Sequence, residues 1–310
     1  MKKQVLAILV ASLCICANLA GCANNSYSEQ WAMDNQGQVV DRFAGVKHVD
    51  INIKDCWEEI AAISDIPVIG IIDEGVDFSN GYLSKSKSSK NSVSTVSEHG
   101  TNVASMITTN HAYGEIKGCL NNAPLLQYAY NNLSNDSIEQ VIAGIDFLES
   151  NGVRVVNCSF TISKFNTALY ERMASSNMLF VCAAGDIRGD LPLYPAFYDL
   201  ENVICVGGIT NHGTFSTLSH MSEYVDIVAP GEQILTVGQQ EELKYVSGTS
   251  IATPFITAAC ALISYYDKGA SASDIKEVLL ELARNDILAR YYITNVRLVD
   301  FNAIVQYYKK

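Results

Sequence analysis

Val68-Ile69-Gly70-Ile71-Ile72-Asp73-Glu74-Gly75-Val76-Asp77 (VIGIIDEGVD) is the stretch that decides how this chain folds. From Ile66 to Ile72 it is apolar and β-branched, with no alternation of polar and apolar positions. Such a run reads as a strand buried on both faces, the pattern of a parallel sheet covered by helices. An acid, Asp73, follows where the strand should end. In open α/β sheets ligands bind beyond the carboxyl ends of the strands, so Asp73 stands where chemistry is expected.

Outward from this stretch the pattern repeats. Val153–Phe160, Met178–Ala184 and Val203–Gly208 read as further buried strands. Between them, Ser137 with Gln140 forms a capping box, and Ile138, Val141, Ile142, Ile145 and Leu148 recur at helical spacing until Gly152. A helix is expected after Ser250, with Pro254 tolerated in its first turn. Another is expected from near Ser273, with Ile275, Val278, Leu279 and Leu282 on one face. Residues 84–98 are rich in Ser and Lys and read as an exposed loop. Strands alternating with amphipathic helices predict a parallel sheet with helices on both faces. No internal repeat or linker divides the chain, so one α/β domain is expected over residues 28–310.

The chain has 310 residues, 48% of them hydrophobic and 17% charged, which is a globular composition. Its formal charge of −12 argues against nucleic acid as a partner, because phosphate binding needs clustered Lys and Arg. The first 21 residues form a targeting segment. Lys2 and Lys3 precede an uncharged, mostly apolar run from Val5 to Ala17, too short for a comfortable membrane span. The segment ends in Leu19-Ala20-Gly21-Cys22, which resembles the lipobox of bacterial lipoproteins. That resemblance implies cleavage before Cys22, lipid on Cys22, a short tether over 22–27, and a chain held on the outer face of the cytoplasmic membrane. An ordinary secretory signal is the alternative. Of nine cysteines, Cys14 and Cys16 lie in the signal and Cys22 is assigned to lipid. Cys56, Cys119, Cys158, Cys182, Cys205 and Cys260 lie mostly in apolar runs without metal-ligand spacing, and read as small buried thiols. One or two disulfides are compatible with an exported protein, with no pairing readable.

Two further segments carry chemistry. His99–Ser105 (HGTNVAS) offers an imidazole before a helical pattern, and Ser247–Pro254 (SGTSIATP) offers a hydroxyl beside Gly248. A serine hydroxyl is a poor nucleophile until a base takes its proton. An imidazole does this near neutral pH, and a buried carboxylate fixes its tautomer. Each segment alone is an ordinary strand end, helix start or N-cap. Together they supply acid, base and nucleophile in the order Asp73, His99, Ser250.

These three segments resemble the Asp, His and Ser signatures of the subtilisin-like serine proteases, the subtilases. SEQWAMDNQGQ (28–38), DINIKDCW (50–57), VVNCSF (155–160), AAGD (183–186), YPA (194–196), VAPG (228–231) and RLVDFNAIV (297–305) extend the similarity along the chain. The resemblance implies a three-layer α/β fold with a parallel seven-stranded sheet, and hydrolysis of peptide bonds through an acyl-enzyme. By motif match it implies Asp73 as orienting acid, His99 as general base and acid, and Ser250 as nucleophile. Ser159, Phe160 and Gly248 would border the bound peptide. No cofactor is required; calcium, common in the family, has no ligands that can be placed from the sequence. A monomer acting on a peptide or protein substrate is expected.

The departures from that pattern are informative. Asp186 stands where the family usually has Asn, whose amide donates to the oxyanion. A protonated carboxyl can donate one hydrogen bond and an ionised one cannot, so Asp186 either slows the reaction or works protonated. Asn102 stands where the family often has a second His, Ser105 where it has a Gly, Phe255 where it has a His, and Thr161 where it has a Gly that usually shapes the primary specificity pocket, which predicts a narrowed or reshaped pocket. Only about eight residues separate Cys22 from Gln30-Trp31, so no pro-domain is expected. His48, His111, His212 and His220 are scattered and read as surface or capping residues.

Overall fold

The computed structural model describes residues 30–91, 95–131, 138–187, 191–221, 223–285 and 296–310. The expected signal segment, Cys22 and the expected capping serine Ser137 lie outside the described residues. Seven strands, β1 (Ile69–Asp73), β2 (Leu125–Ala129), β3 (Val155–Cys158), β4 (Leu179–Ala183), β5 (Val203–Ile209), β6 (Ile227–Pro230) and β7 (Arg297–Leu298), form one sheet in the order β7-β6-β5-β4-β3-β1-β2. Every neighbouring pair is parallel. Every residue of β1, β3, β4, β5 and β6 is buried, as a sheet covered by helices requires. The helices around it are α1 (Glu98–Ile107), α2 (Ile138–Ser150), α3 (Thr167–Ala174), α4 (Thr249–Tyr266), α5 (Ala272–Leu282) and α6 (Phe301–Tyr308), besides a short turn of helix at Trp57–Ala61. The seven-stranded subtilisin-like α/β architecture expected from the sequence is the one observed.

α4 lies against β3, β4, β5 and β6. It is long and apolar enough to cross a membrane by length and composition, yet nearly all of it is buried inside the fold, so it is the core helix. The segment from Gln30 is fastened to the body by side chains. Gln30 exchanges two hydrogen bonds with the backbone of Lys117, and the Trp31 indole donates to the carbonyls of Glu232 and Gln233.

Several local readings need correction. The 84–98 stretch is not simply an exposed loop. Ser86 and Ser88 are buried while Lys85 and Lys87 face outward, and Lys87 bridges in parallel to Leu125 at the edge of β2. His220 is not a surface residue: it is 1% exposed, with Nε2 on the Leu191 carbonyl oxygen at 3.1 Å. Pro254 is not in the first turn, because α4 begins at Thr249, two residues before the expected point. The six described cysteines are free and buried. Cys158, Cys182 and Cys205 lie in register across β3, β4 and β5, and burial pushes the Cys182, Cys205 and Cys260 thiols far up. Such thiols stay protonated and unreactive.

Candidate active site

Asp73 is the last residue of β1, which has a partner strand on each side, so its position is fixed by the sheet. Its carboxyl is 1% exposed and accepts the Glu74 N–H at 2.7 Å. The same oxygen, Oδ1, lies 2.9 Å from Nδ1 of His99. His99 is the second residue of α1, whose N-cap Ser97 accepts the Gly100 N–H at 2.9 Å. Gly100 makes the approach feasible: a Cβ there would lie 2.1 Å from the Gly75 carbonyl oxygen and 3.0 Å from Asp73 Oδ1. Any other residue would push the helix, and His99 with it, away from the acid. Burial pulls the His99 pKa down. The Asp73 hydrogen bond and the charges of Asp73, Glu74 and Asp186 outweigh this and hold it above the ordinary value of 6.5. With Nδ1–H donated to Asp73, Nε2 is the basic nitrogen.

Ser250 is the second residue of α4, after an N-cap, Gly248, with φ of +145°. Its own N–H has no partner among the described residues, as expected in the first turn of a helix. Pro254 has no N–H to return to the Ser250 carbonyl, four residues back. Ser159 takes that place, its hydroxyl donating to the Ser250 oxygen at 2.8 Å. Behind it, Asn157 donates to Ser159 Oγ at 2.9 Å, and Thr257 donates to Asn157 Oδ1 at 2.8 Å. A buried polar chain thus runs from the middle of α4 through β3 and back to the backbone of Ser250. The proline spacing in the sequence was the signal for it.

His99 and Ser250 line one cavity of about 660 Å³, together with Ser159, Phe160, Thr161 and Asp186. It opens beyond the carboxyl ends of β3 and β4, where an open α/β sheet binds ligands. The structure therefore pairs Asp73 with His99 and brings His99 and Ser250 to a common space. Phe160 is buried edge-on against Tyr130, with ring centroids 5.7 Å apart. Gly248 is beside the cavity as a point of close approach. A Cβ on it would lie 2.7 Å from Asp186 Oδ2 and 3.3 Å from Ser250 Oγ, so both oxygens face the same small space. Asp186 Oδ1 accepts the Thr249 N–H at 2.7 Å and the Thr249 hydroxyl at 2.8 Å. One carboxyl oxygen of Asp186 is thus committed to the start of α4, and the other faces the space beside Ser250 Oγ.

The substituted positions have structural roles. Asn102 accepts from the Thr236 hydroxyl at 3.2 Å, and Ser105 accepts the Val237 N–H at 3.2 Å, fastening the Ile234–Val246 hairpin to α1. Phe255 is fully buried in α4. Thr161 lines the cavity, as does Leu193, which the sequence reading did not single out. Among the described residues no group of three His, Cys, Asp or Glu could hold a metal ion.

Similarity to known proteins follows the geometry. The family model described as Peptidase_S8, the subtilase family, matches residues 64–296. The chain is 28% identical over 243 residues to the major intracellular serine protease of Bacillus subtilis (strain 168), covering 71% of this chain and 75% of that one. It is 29% identical over 233 residues to subtilisin DY of Bacillus licheniformis, covering 70% and 83%. Among solved structures it is similar in fold to a cold-adapted subtilisin-like serine proteinase (TM-score 0.68, 23% identity, 88% of this chain and 97% of that one). It is also similar in fold to the nisin leader peptidase NisP from Lactococcus lactis (TM-score 0.72, 18% identity, 91% and 94%). With a family model spanning most of its length, this chain belongs to the subtilase family of serine peptidases.

Proposed function

We propose that this protein is a membrane-tethered serine endopeptidase acting through Asp73, His99 and Ser250. The observation that carries the reading is the 2.9 Å contact between buried Asp73 and His99, with Ser250 on the same cavity as His99. His99 Nε2 takes the Ser250 proton as Oγ attacks the substrate carbonyl carbon. Negative charge then gathers on the carbonyl oxygen, where the Ser250 N–H and a protonated Asp186 donate. His99 passes the proton to the leaving amine, the C–N bond breaks, and an acyl-enzyme remains on Ser250. Water, deprotonated by His99, repeats the attack and frees the acid. Asp73 holds the imidazole in one tautomer and stabilises its cation. Ser159, Phe160 and Gly248 border the bound peptide, Ser159 with its hydroxyl already given to Ser250. Cys22, lipidated after removal of residues 1–21, tethers the domain to the outer face of the cytoplasmic membrane.

The test is cleavage of an unfolded polypeptide, followed by mass spectrometry of the fragments. The protein should cleave it, while Ser250→Ala and His99→Ala lose at least about 10³ in rate. A folded protein that cleaves nothing would contradict the reading. Replacing Cys22 with Ser should release the protein from the membrane fraction; continued membrane retention would remove the lipid anchor.

A second reading, a peptide-binding or regulatory lipoprotein with an impaired site, draws support from Asp186. An ionised carboxylate there would repel the oxyanion. Peptide binding without turnover would favour it.

A further inference from the structure

We infer that Leu193, with Thr161, blocks the pocket for the side chain preceding the scissile bond, so that the protein cleaves after glycine, alanine or serine. The inference rests on the peptidase reading and specifies its substrate. His99 must lie on the leaving-group side of the substrate carbonyl, because it protonates the departing amine. The acyl-side residue therefore extends away from His99, past Ser250. In that direction the cavity is bounded by Ser159–Ser163, beyond the end of β3, and by Gly185–Ile187, beyond the end of β4.

A side chain entering between these two walls meets the α-carbon of Gly185, and the space over that carbon is already taken. A methyl group built on Gly185 would lie 2.3 Å from Leu193 Cδ1 and 3.5 Å from Thr161 Cγ2. Carbon atoms pack at about 3.5–4.0 Å, so the leucine sits against the bare glycine and threonine closes the slot from the opposite wall. What remains beside them accommodates a hydrogen, a methyl or a small hydroxymethyl group.

Leu193 is held in this place from both sides. The next residue, Tyr194, exchanges two backbone hydrogen bonds with Ile162 on the facing wall, at 2.6 and 2.9 Å. Two residues before it, the Leu191 carbonyl oxygen is bound by Nε2 of buried His220, whose own N–H donates to the Gly185 oxygen at 2.8 Å. The His220 ring is fixed edge-on to Phe197, with centroids 4.8 Å apart. Both walls and the backbone on either side of the leucine are thus fastened to one another, so the Leu193 backbone cannot withdraw from Gly185 without breaking these bonds. Leu193 is itself only half-buried, so shortening it opens the pocket and leaves the core intact.

The test uses peptidyl diphenyl phosphonates that differ only in the side chain next to phosphorus (methyl or benzyl), with a small fluorophosphonate lacking any peptide as control. Inactivation rates are read by intact-mass spectrometry on the protein, Leu193→Gly and Thr161→Gly. The protein should react with the methyl phosphonate at least about 10-fold faster than with the benzyl one. Relative to each protein's own fluorophosphonate rate, Leu193→Gly should raise the benzyl rate by about 10-fold or more, and Thr161→Gly by less. Equal methyl and benzyl rates in the unaltered protein, or a ratio that neither variant moves, would overturn the inference and leave the peptidase reading standing. A protein that the fluorophosphonate does not label overturns both.

Discussion

Replacing Asp186 with Asn perturbs one atom at the point where, in the proposed reaction, the transition state gathers charge. Oδ1 of Asp186 is an acceptor from the Thr249 N–H and hydroxyl, and the amide oxygen of Asn keeps both bonds. The NH₂ group then takes the place of Oδ2, which faces the same space as Ser250 Oγ. The change is isosteric and converts an acceptor into a donor. Two unit charges about 3 Å apart at an effective dielectric near 20 repel by about 5 kcal/mol, an upper figure for an ionised Asp186 against an oxyanion. Loss of one such donor in a subtilisin lowers kcat by about 10²–10³, or about 3–4 kcal/mol, and this smaller measured effect is the one to use.

The pH dependence then discriminates. His99 is a base only when neutral, above its raised pKa, whereas Asp186 donates only while protonated, which low pH favours. The amide removes the second requirement. Asp186→Asn should therefore raise kcat/KM by about 10²–10³ near pH 8 and by much less near pH 5, giving a ratio that climbs with pH. Removing the Asp186 charge also removes one cause of the raised His99 pKa, so the limb that reports His99 should move to lower pH. Stopped or continuous hydrolysis of a fluorogenic peptide from pH 4.5 to 9 measures both effects. A ratio that is flat with pH, or below about 3-fold at pH 8, would refute the placement of Asp186 at the oxyanion.

Ser159→Ala removes the donor to the Ser250 carbonyl and should lower kcat by about 5-fold with little change in KM, as expected for one neutral hydrogen bond of about 1 kcal/mol. Adding Pro254→Ala restores an N–H aimed at the same carbonyl, so the double variant should recover most of the loss; no recovery would place the effect elsewhere. In the unaltered protein one limb of the kcat/KM profile should lie above pH 6.5, because Asp73, Glu74 and Asp186 raise the His99 pKa; a profile with no limb above that value would contradict the geometry. His111 behaves oppositely. Burial and the Lys117 charge lower its pKa to about 4, so the folded chain stays neutral there while the unfolded chain takes up a proton below about 6.5. Stability from this residue is present above pH 6.5 and lost as pH falls towards 4, and His111→Gln should flatten that part of the melting-temperature curve. The Lys117 ammonium donates to the carbonyl oxygens of His111 and Gly114, and Lys117→Met should cost about 2–4 kcal/mol in chemical denaturation.

Much of the fold was legible because buried parallel strands write themselves as apolar runs. β1, β3, β4 and β5 all appeared in the sequence within a few residues of their true ends. Asp73, His99 and Ser250 were legible because each sits at a strand end or helix start, where local pattern and chemistry coincide. What depended on distant partners was not legible. Ser86 and Ser88 look like loop residues until the edge of β2 comes beside them. His220 is polar by composition yet buried, because its ring binds the Leu191 carbonyl oxygen and its backbone N–H the Gly185 oxygen. Pro254 falls in the second turn because the helix starts two residues earlier than expected, and its consequence needed Ser159, 91 positions from Ser250. Leu193 gave no signal at all, since its role exists only once Ile162 and Gly185 lie on either side of it. The helix Phe301–Tyr308 was read only as a resemblance, though its N-cap, Asp300, accepts the Ala303 N–H.

The central claim is that Ser250 is a hydroxyl made nucleophilic by His99, which Asp73 orients. The measurement that tests it most directly is covalent labelling by a fluorophosphonate, located by peptide mass spectrometry, in the unaltered protein and in Asp73→Asn and His99→Ala. The account predicts one label, on Ser250, with its rate falling by about 10³ or more in both variants. A folded protein that takes no label, or takes it on another residue, would contradict the account.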